Sequence, residues 1–152
     1  ALMGSFQPLL VQRTMTEFKE DWSGTGTITR DASIPQNTEG DELFTHKHTP
    51  LRSTNRLRIT ANVVAFPKAH GSISLLTLFV DSETDARAVA PFQDFACQTL
   101  VYEMEADTTS EIEFMVRIGG TAAGTTRVNQ DGFGDTFVNC VSYFQVEEFG
   151  QP

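Results

Sequence analysis

Residues 55–66, NRLRITANVVAF, alternate apolar and polar side chains with a period of two. The apolar set comprises Leu57, Ile59, Ala61, Val63 and Ala65, and the polar set comprises Arg56, Arg58, Thr60 and Asn62. Because successive side chains of a β-strand point to opposite faces, this pattern predicts a strand with one face in a core and the other in solvent.

The same alternation occurs in several other segments, among them 98–106 (QTLVYEMEA), 110–119 (SEIEFMVRIG) and 139–149 (NCVSYFQVEEF). Turn-forming clusters such as WSGTG (22–26) and GGTAAG (119–124) separate them. We predict strands near residues 9–20, 26–31, 42–49, 55–66, 72–81, 96–106, 110–119, 124–129 and 137–149. Short strands at this spacing are typical of an antiparallel sandwich or barrel.

Two segments depart from the alternation. Residues 73–80, ISLLTLFV, are apolar on both faces, which predicts a strand covered on both sides. In a small antiparallel domain the second cover is often another subunit, so this strand makes a subunit interface reasonable. Residues 81–92, DSETDARAVAPF, form the one stretch in which we expect a short helical turn.

Length and charge limit the classes of function. A chain of 152 residues is enough for one domain with its own core. The net charge of −9 disfavours binding to nucleic acid and to anionic membranes, which both require a basic surface. No stretch approaches 18 apolar residues, and residues 1–13 lack the basic start and apolar core of a signal peptide.

The two cysteines do not form a disulfide framework or a four-ligand zinc site. Strand phase places Cys140 on the inward face and Cys97 on the face opposite Leu100. We therefore expect free, mostly buried thiols rather than a Cys97–Cys140 disulfide.

An ordered set of motifs resembles a domain that recurs in bacteriophage and prophage virion proteins. Ile34 to Gly40 match its "IPQNTEG" loop, Thr49–Pro50 match the end of its next strand, and residues 55–59 match its "NRLRI" strand. Residues 106–119, 122–129 and 144–149 resemble later motifs of the family, in the same order and at comparable spacing. The resemblance covers roughly residues 12–149.

The resemblance implies a fold and a setting. The family is found at the ends of tail fibres and in related appendages, and its fold is similar to the trimeric tumour-necrosis-factor-like tips. We therefore expect an all-β, antiparallel jelly-roll-like β-sandwich at residues 11–152, forming a homotrimer. The protein would be assembled in the host cytoplasm, would lie on the virion surface and would need no cofactor.

Two functional classes follow from this reading. The chain is either an appendage tip that contacts a host glycan or protein, or a capsid, neck or tail decoration protein that binds no receptor. We expect residues 1–10 to form an arm that docks on another virion protein. Its docking side chains would be Leu2, Met3, Phe6, Leu9 and Leu10.

His46 and His48 lie two residues apart, on one face of a predicted strand with Phe44. The family usually has apolar residues there. Two such imidazoles could share a metal or respond to pH, and a trimer would bring six of them to its axis. The alternative is that they are polar residues at a subunit seam or an exposed edge.

Other candidate sites are weaker. Asp81, Glu83 and Asp85 have EF-hand spacing, but Ala86 and Phe92 occupy the positions that need Gly and Glu. Asn129, Asp131 and Asp135 could hold calcium, although a hairpin turn explains the same residues.

The sequence contains none of the common enzyme motifs, so we do not expect catalysis. Aromatic side chains in loops are the usual saccharide platforms. The candidates for receptor binding, chosen from loop position, are Trp22, Phe92, Phe95 and Phe133.

Overall fold

The computed structural model describes residues 8–69, 72–130 and 140–150. Ten strands make up its regular structure, and the described residues contain no helix that could cross a membrane. The strands are β1 (Leu9–Phe18), β2 (Trp22–Gly24), β3 (Asp41–His48), β4 (Arg56–Phe66), β5 (Ser74–Val80), β6 (Ala88–Phe92), β7 (Ala96–Glu105), β8 (Ile112–Gly120), β9 (Thr126–Val128) and β10 (Ser142–Gly150).

Two antiparallel sheets pack face to face as a sandwich. In the first sheet β1 pairs with β10, β10 with β4, and β4 with β7, while β9 and β2 extend the sheet at the end of β4. The second sheet has the order β3-β8-β5-β6. From β3 to β8 each strand lies in the opposite sheet from the strand before it, except that β5 and β6 form a hairpin within the second sheet. This is the strand order of a jelly roll, as the resemblance implied.

The inward faces follow the period-two pattern. The inward side chains of β4 and β8 are buried, with Leu57, Ile59, Phe114, Val116 and Ile118 all at 0% exposure. Phe144 on β10 lies at the centre of this core. Its ring centroid is 5.9 Å from that of Phe44, 5.8 Å from that of Phe114 and 5.2 Å from that of His46. Phe144 therefore joins the first sheet to two strands of the second.

The 34–40 segment is held by hydrogen bonds within itself and to neighbouring segments. The amide nitrogens of Gln36 and Thr29 both donate to the Glu39 carboxylate. The Asn37 side chain donates to the carbonyl of Glu83, and the Ala86 amide donates to the carbonyl of Pro35. The segment thereby fixes the 81–87 turn.

Gly40 ends this segment with a φ of 65°, a conformation that favours glycine. A Cβ at this position would lie 2.8 Å from the carbonyl oxygen of Ile118. Arg117 also donates to the carbonyl oxygens of Glu39 and Gly40. The motif that carries the family resemblance thus has an architectural role in this chain.

The structure corrects several expectations about individual segments. Residues 88–92 form strand β6 rather than a helical turn, because they pair with β5. The expected strand at 26–31 is reduced to a bridge at Thr27, and the strand of this region is β2 at Trp22–Gly24. Cys97 and Cys140 are free, as expected, but Cys97 is exposed rather than buried.

The expected second subunit over β5 is not needed to bury its outer face. Thr77 and Phe79 point away from the core side chains Leu76 and Leu78, yet they are 0% and 1% exposed within a single chain. The doubly apolar segment therefore does not indicate a subunit interface.

Replacing the central ring tests this packing. We expect Phe144→Ala to lower the free energy of unfolding by about 3–5 kcal/mol, because a large side chain is removed from a site with no solvent exposure. The control is Val101→Ala on the solvent face of β7, which is 54% exposed and should change stability by no more than about 0.5 kcal/mol. Urea denaturation of both variants measures the difference, and equal losses would show that Phe144 does not organise the core.

Candidate functional site

His46 and His48 lie inside the sandwich, where β1 of the first sheet faces β3 of the second. They are 6% and 1% exposed, and they share the inward face of β3 with Phe44. The expectation that they lie at an exposed edge is therefore wrong. The inward side chains of β1 are hydroxyls at this level, namely Thr14 and Thr16, so the two imidazoles meet polar partners.

These side chains form a continuous chain of hydrogen bonds, which we call the histidine network (Thr16, His46, Thr14, His48 and Glu148). Thr16 Oγ1 lies 2.7 Å from His46 Nδ1, and His46 Nε2 lies 2.8 Å from Thr14 Oγ1. Thr14 Oγ1 is 2.9 Å from His48 Nδ1, and His48 Nε2 is 3.0 Å from Glu148 Oε2. All four ring nitrogens of the two imidazoles are engaged.

Glu148 fixes the direction of these hydrogen bonds. Its carboxylate can only accept, so His48 Nε2–H donates to it. In a neutral His48 the Nδ1 atom then accepts from the Thr14 hydroxyl, whose oxygen accepts from His46 Nε2–H. His46 Nδ1 accepts from the Thr16 hydroxyl in turn. Every donor in the network thus has an acceptor when both rings are neutral.

The Glu148 carboxylate is buried at 0% exposure but is well supplied with donors. Its Oε1 accepts from the Leu51 amide at 2.8 Å and from Asn55 Nδ2 at 2.6 Å, while Oε2 accepts from His48. A buried charge is tolerated only when it is hydrogen-bonded in this way. Glu148 therefore holds β3, β10 and the turn between β3 and β4 together.

Burial and hydrogen bonding shift two pKa values in the network. Burial lowers the pKa of His46 below its ordinary value of 6.5, and the neighbouring His48 lowers it further. Burial alone would raise the pKa of Glu148, but the hydrogen bonds from Asn55, Leu51 and His48 outweigh it, so this pKa lies below 4.5. The network therefore favours a neutral His46 and an ionised Glu148.

The network has room for one additional proton. If His48 gains a proton at Nδ1, it donates to Thr14, and the Thr14 hydroxyl then donates to a His46 ring that has switched tautomer. If both rings were charged, both would donate to Thr14 Oγ1 and the Thr14 hydroxyl proton would have no acceptor. The hydrogen bonds of the two rings are therefore linked through the Thr14 hydroxyl.

The order hydroxyl, imidazole and carboxylate is also that of a nucleophilic triad. In this chain the Thr14 hydroxyl also accepts a hydrogen bond from His46, so it links two imidazoles rather than one. No group of three or more potential metal ligands occurs in the described part of the chain. We interpret the network as a polar seam that joins the two sheets and responds to protons.

Asn129, a candidate calcium ligand, instead has a structural role. It has a φ of 59° and no exposed surface. It directly follows β9, and β9 and β10 pair with successive parts of the same edge of β4. Its Nδ2 donates to the carbonyls of Phe18 and Glu20, and its Oδ1 accepts from the Ser142 hydroxyl at 2.7 Å. The other two candidates, Asp131 and Asp135, lie outside the described residues.

The candidate receptor aromatics have different positions. Phe92 is 5% exposed and belongs to the core, so it is not a loop platform. Trp22 packs against the core from β2. Phe95 is 38% exposed, and its ring lies 5.8 Å from that of Phe66. Phe133 lies outside the described residues.

Two of the candidate docking residues belong to the first strand. Leu9 and Leu10 pair with Gly150 and Phe149, and their side chains are about half exposed, at 50% and 51%. They are therefore available to a partner from within the sheet. Leu2, Met3 and Phe6 lie outside the described residues, and docking through them stays a prediction.

Sequence reasoning did not find a cleft on the outer face of the first sheet, which we call the arginine cleft. It has a volume of about 590 Å³. Its lining includes Arg52, Asn55, Arg56, Arg58, Glu103 and Phe149. The strand pairing of β4 with β7 and β10 brings these residues together from three separate parts of the chain.

No protein-family model matches this chain, and a search of curated proteins finds no match. Among solved structures, the chain is similar to the sugar-binding EclA C-terminal domain, with 18% identity, a TM-score of 0.41 and coverage of 82% of this chain and 79% of that one. It is also similar to a chain in the structure of infectious bursal disease virus Gx strain, with 12% identity, a TM-score of 0.41 and coverage of 93% of this chain and 42% of that one.

A third similar structure is a family GH115 4-O-methyl-α-glucuronidase, BtGH115A. The match has 13% identity and a TM-score of 0.42, and it covers all of this chain but 19% of the enzyme. At these identities and TM-scores the similarities carry no information about function.

Removing the buried carboxylate tests the histidine network. We expect Glu148→Leu to lower the free energy of unfolding by about 3–5 kcal/mol, because the buried His48 and Asn55 side chains and the Leu51 amide lose their acceptor. Glu147→Leu is the matched control, since its side chain points to the opposite, solvent-facing side of the same strand. Thermal or urea unfolding measures both variants, and similar losses would contradict a structural role for Glu148.

Stability should fall as the protein is acidified. The unfolded chain binds protons more readily than the folded one at His46 below pH 6.5 and at Glu148 below pH 4.5. In His46→Leu we expect a smaller loss of stability between pH 7 and 5 than in the wild type. Thr45→Leu, at the neighbouring exposed position, should keep the wild-type dependence. Melting temperature against pH measures this, and an unchanged slope in His46→Leu would reject the assignment.

Proposed function

We propose that this chain is a structural protein of a bacteriophage virion, of the tail-fibre or appendage type, at or near the surface that contacts the host. The observation that carries the proposal is the agreement between motif and fold. The ordered motifs of residues 34–59 resemble a virion-appendage family, that resemblance implied a jelly roll, and the chain has the sheet order of one.

The outer face of the first sheet supports self-association, which we take to be trimeric. In the half of this face nearest Glu17, the outward side chains of β10, β4 and β7 and Met15 of β1 are uncharged, and Glu17 on β1 lies at the border. We call this surface the neutral face, and it consists of Met15, Thr60, Asn62, Thr99, Val101, Tyr143 and Gln145. Interface cores are depleted of charged residues, whereas about 20% of this chain is charged.

Two side chains give the neutral face its apolar character. Met15 on β1 and Val101 on β7 lie in one row across the sheet and are 42% and 54% exposed. Burying them between copies would be favourable, because each removes apolar surface from water. The proposed interface is therefore the neutral face of each copy, arranged around a common axis.

An appendage tip and a decoration protein would share this assembly but differ in where the protein lies. The arginine cleft, which offers a concave site on the opposite half of the same sheet, favours contact with a ligand. The alternative is a capsid, neck or tail decoration protein that stabilises the particle and binds no receptor. Immunogold labelling of intact particles separates the two, since label at a distal tip supports the first and label over the shell supports the second.

A charge placed on the neutral face should disrupt the trimer. We expect Val101→Asp to shift the protein from trimer to monomer, because three carboxylates would be buried near one axis. Val89→Asp is the control, since Val89 is 42% exposed but lies on β6 of the second sheet. Light scattering after size-exclusion chromatography measures both masses. A monomeric wild type, or a trimeric Val101→Asp variant, would contradict the proposed interface.

Attachment to the particle is expected to depend on the amino-terminal residues. Removing residues 1–7 leaves all of β1 and should give a folded trimer that no longer joins the virion. The measurement is the amount of the chain in purified particles when the truncated form replaces the full one. Normal incorporation would refute docking through Leu2, Met3 and Phe6 while leaving the trimer untouched.

A further inference from the structure

We propose that the arginine cleft is a binding site for the carboxylate group of an acidic saccharide. This inference deepens the proposed function, because it names a class of host ligand for an appendage tip. It is carried by the orientation of the arginines, by the shape and walls of the cleft, and by the distribution of charge around it.

Glu103 contacts the Nε groups of two arginines and does not use their outer nitrogens. Its Oε1 accepts from Arg58 Nε at 3.0 Å, and its Oε2 lies 3.5 Å from Arg56 Nε. The Arg58 guanidinium carbon is also 5.4 Å from the centroid of the Phe149 ring. The Nη groups of both arginines remain for a ligand, and such a planar fork matches a carboxylate.

The cleft has the size and composition of a small-ligand site. Its volume of about 590 Å³ lies within the range of roughly 300–1,000 Å³ that is usual for such sites. Phe149 and Pro8 give it an apolar wall against which the C–H face of a pyranose could pack. Thr54, Asn55 and the Glu103 carboxylate border the same space and offer polar partners for hydroxyl groups.

The charge distribution favours a ligand with one negative charge. Arg52, Arg56 and Arg58 are three of the chain's 11 basic residues, and they gather at one cleft of a chain with a net charge of −9. Glu105 and Glu147 lie next to them on the neighbouring strands. A polyanion such as nucleic acid would meet these carboxylates, whereas a single carboxylate in the cleft would meet only Glu103, whose charge Arg56 and Arg58 already offset.

The test is a titration of the ¹⁵N-labelled full chain with sodium galacturonate, followed by amide chemical shifts. We expect saturable shifts at residues 52–58, 103 and 149–150. Galactose, which lacks the carboxylate, should produce no comparable shifts. Arg56→Gln and Arg58→Gln should each weaken binding by about tenfold or more, since each loses a charge-assisted hydrogen bond.

Arg13→Gln is the matched control, because Arg13 is an exposed arginine on the outer face of the same sheet but does not line the cleft. It should bind galacturonate like the wild type. The proposal is overturned if galacturonate causes no saturable shift, if galactose binds equally well, or if Arg13→Gln weakens binding as much as Arg56→Gln. Inorganic phosphate is titrated in parallel, and tighter binding of phosphate than of galacturonate would also reject a saccharide carboxylate as the ligand.

The outcomes of this experiment are independent of those that test the proposed function. A trimer that labels the particle tip but does not bind galacturonate would refute the cleft and keep the virion assignment. Galacturonate binding by a protein that is absent from particles would support the cleft and refute the virion assignment. Melting temperatures of the arginine variants within a few degrees of the wild type would show that lost binding is not lost folding.

Discussion

The buried carboxylate of Glu148 is the constraint on which the arrangement of this end of the molecule depends. A charged group without solvent exposure requires several donors, and the chain supplies them from three places: the Leu51 amide, Asn55 and His48. Those donors belong to β3 and to the turn that leads into β4. The hydrogen bonds to this one carboxylate thus fix the positions of β3, β4 and the turn between them relative to β10.

The histidine network extends this constraint across the edge of the sandwich. His48 takes its orientation from Glu148, Thr14 takes its orientation from His48, and His46 takes its orientation from Thr14. Apolar residues at the two histidine positions would pack between β1 and β3 without any defined hydrogen-bond direction. The polar seam instead specifies which residues of the two edge strands face one another. Asn55 donates to the same carboxylate and also lines the arginine cleft. The candidate ligand site and the histidine network therefore both contact Glu148 or its hydrogen-bond partner.

Much of the fold could be predicted from the alternation of side chains, because a half-buried strand leaves that pattern in the sequence. The inward faces of β4 and β8 and the common face of Phe44, His46 and His48 were predicted correctly, but the position of that common face inside the sandwich was not. The partner of the histidines was missed, although a signal was present: Glu148 shares its strand face with Phe144 and Val146. Thr14 and Thr16 likewise share a face with Phe18. Polar groups on inward faces need hydrogen-bond partners, and a carboxylate, two hydroxyls and two imidazoles can provide such partners for one another.

Other features could not be predicted from one sequence. The arginine cleft depends on which strands are neighbours, because Arg56, Glu103 and Phe149 are separated by many residues and meet only through β4. Burial of Phe79 on the outer face of β5 depends on tertiary packing within the same chain, so a run of apolar residues was mistaken for a subunit contact. The 88–92 segment was taken for a helical turn because it has no clear alternation, whereas its pairing with β5 makes it a strand.

The protonation of the two imidazoles tests this account most directly, by long-range ¹H–¹⁵N correlation spectra of the folded protein between pH 8 and the onset of acid unfolding. At pH 8 the account predicts neutral rings with the proton on Nε2 in both His46 and His48. On acidification it predicts that His46 stays neutral through its ordinary pKa of 6.5 while the fold persists, because burial lowers the pKa of this ring. A neutral His48 with its proton on Nδ1, or a His46 ring that becomes charged in the folded protein at or above pH 6.5, would contradict it.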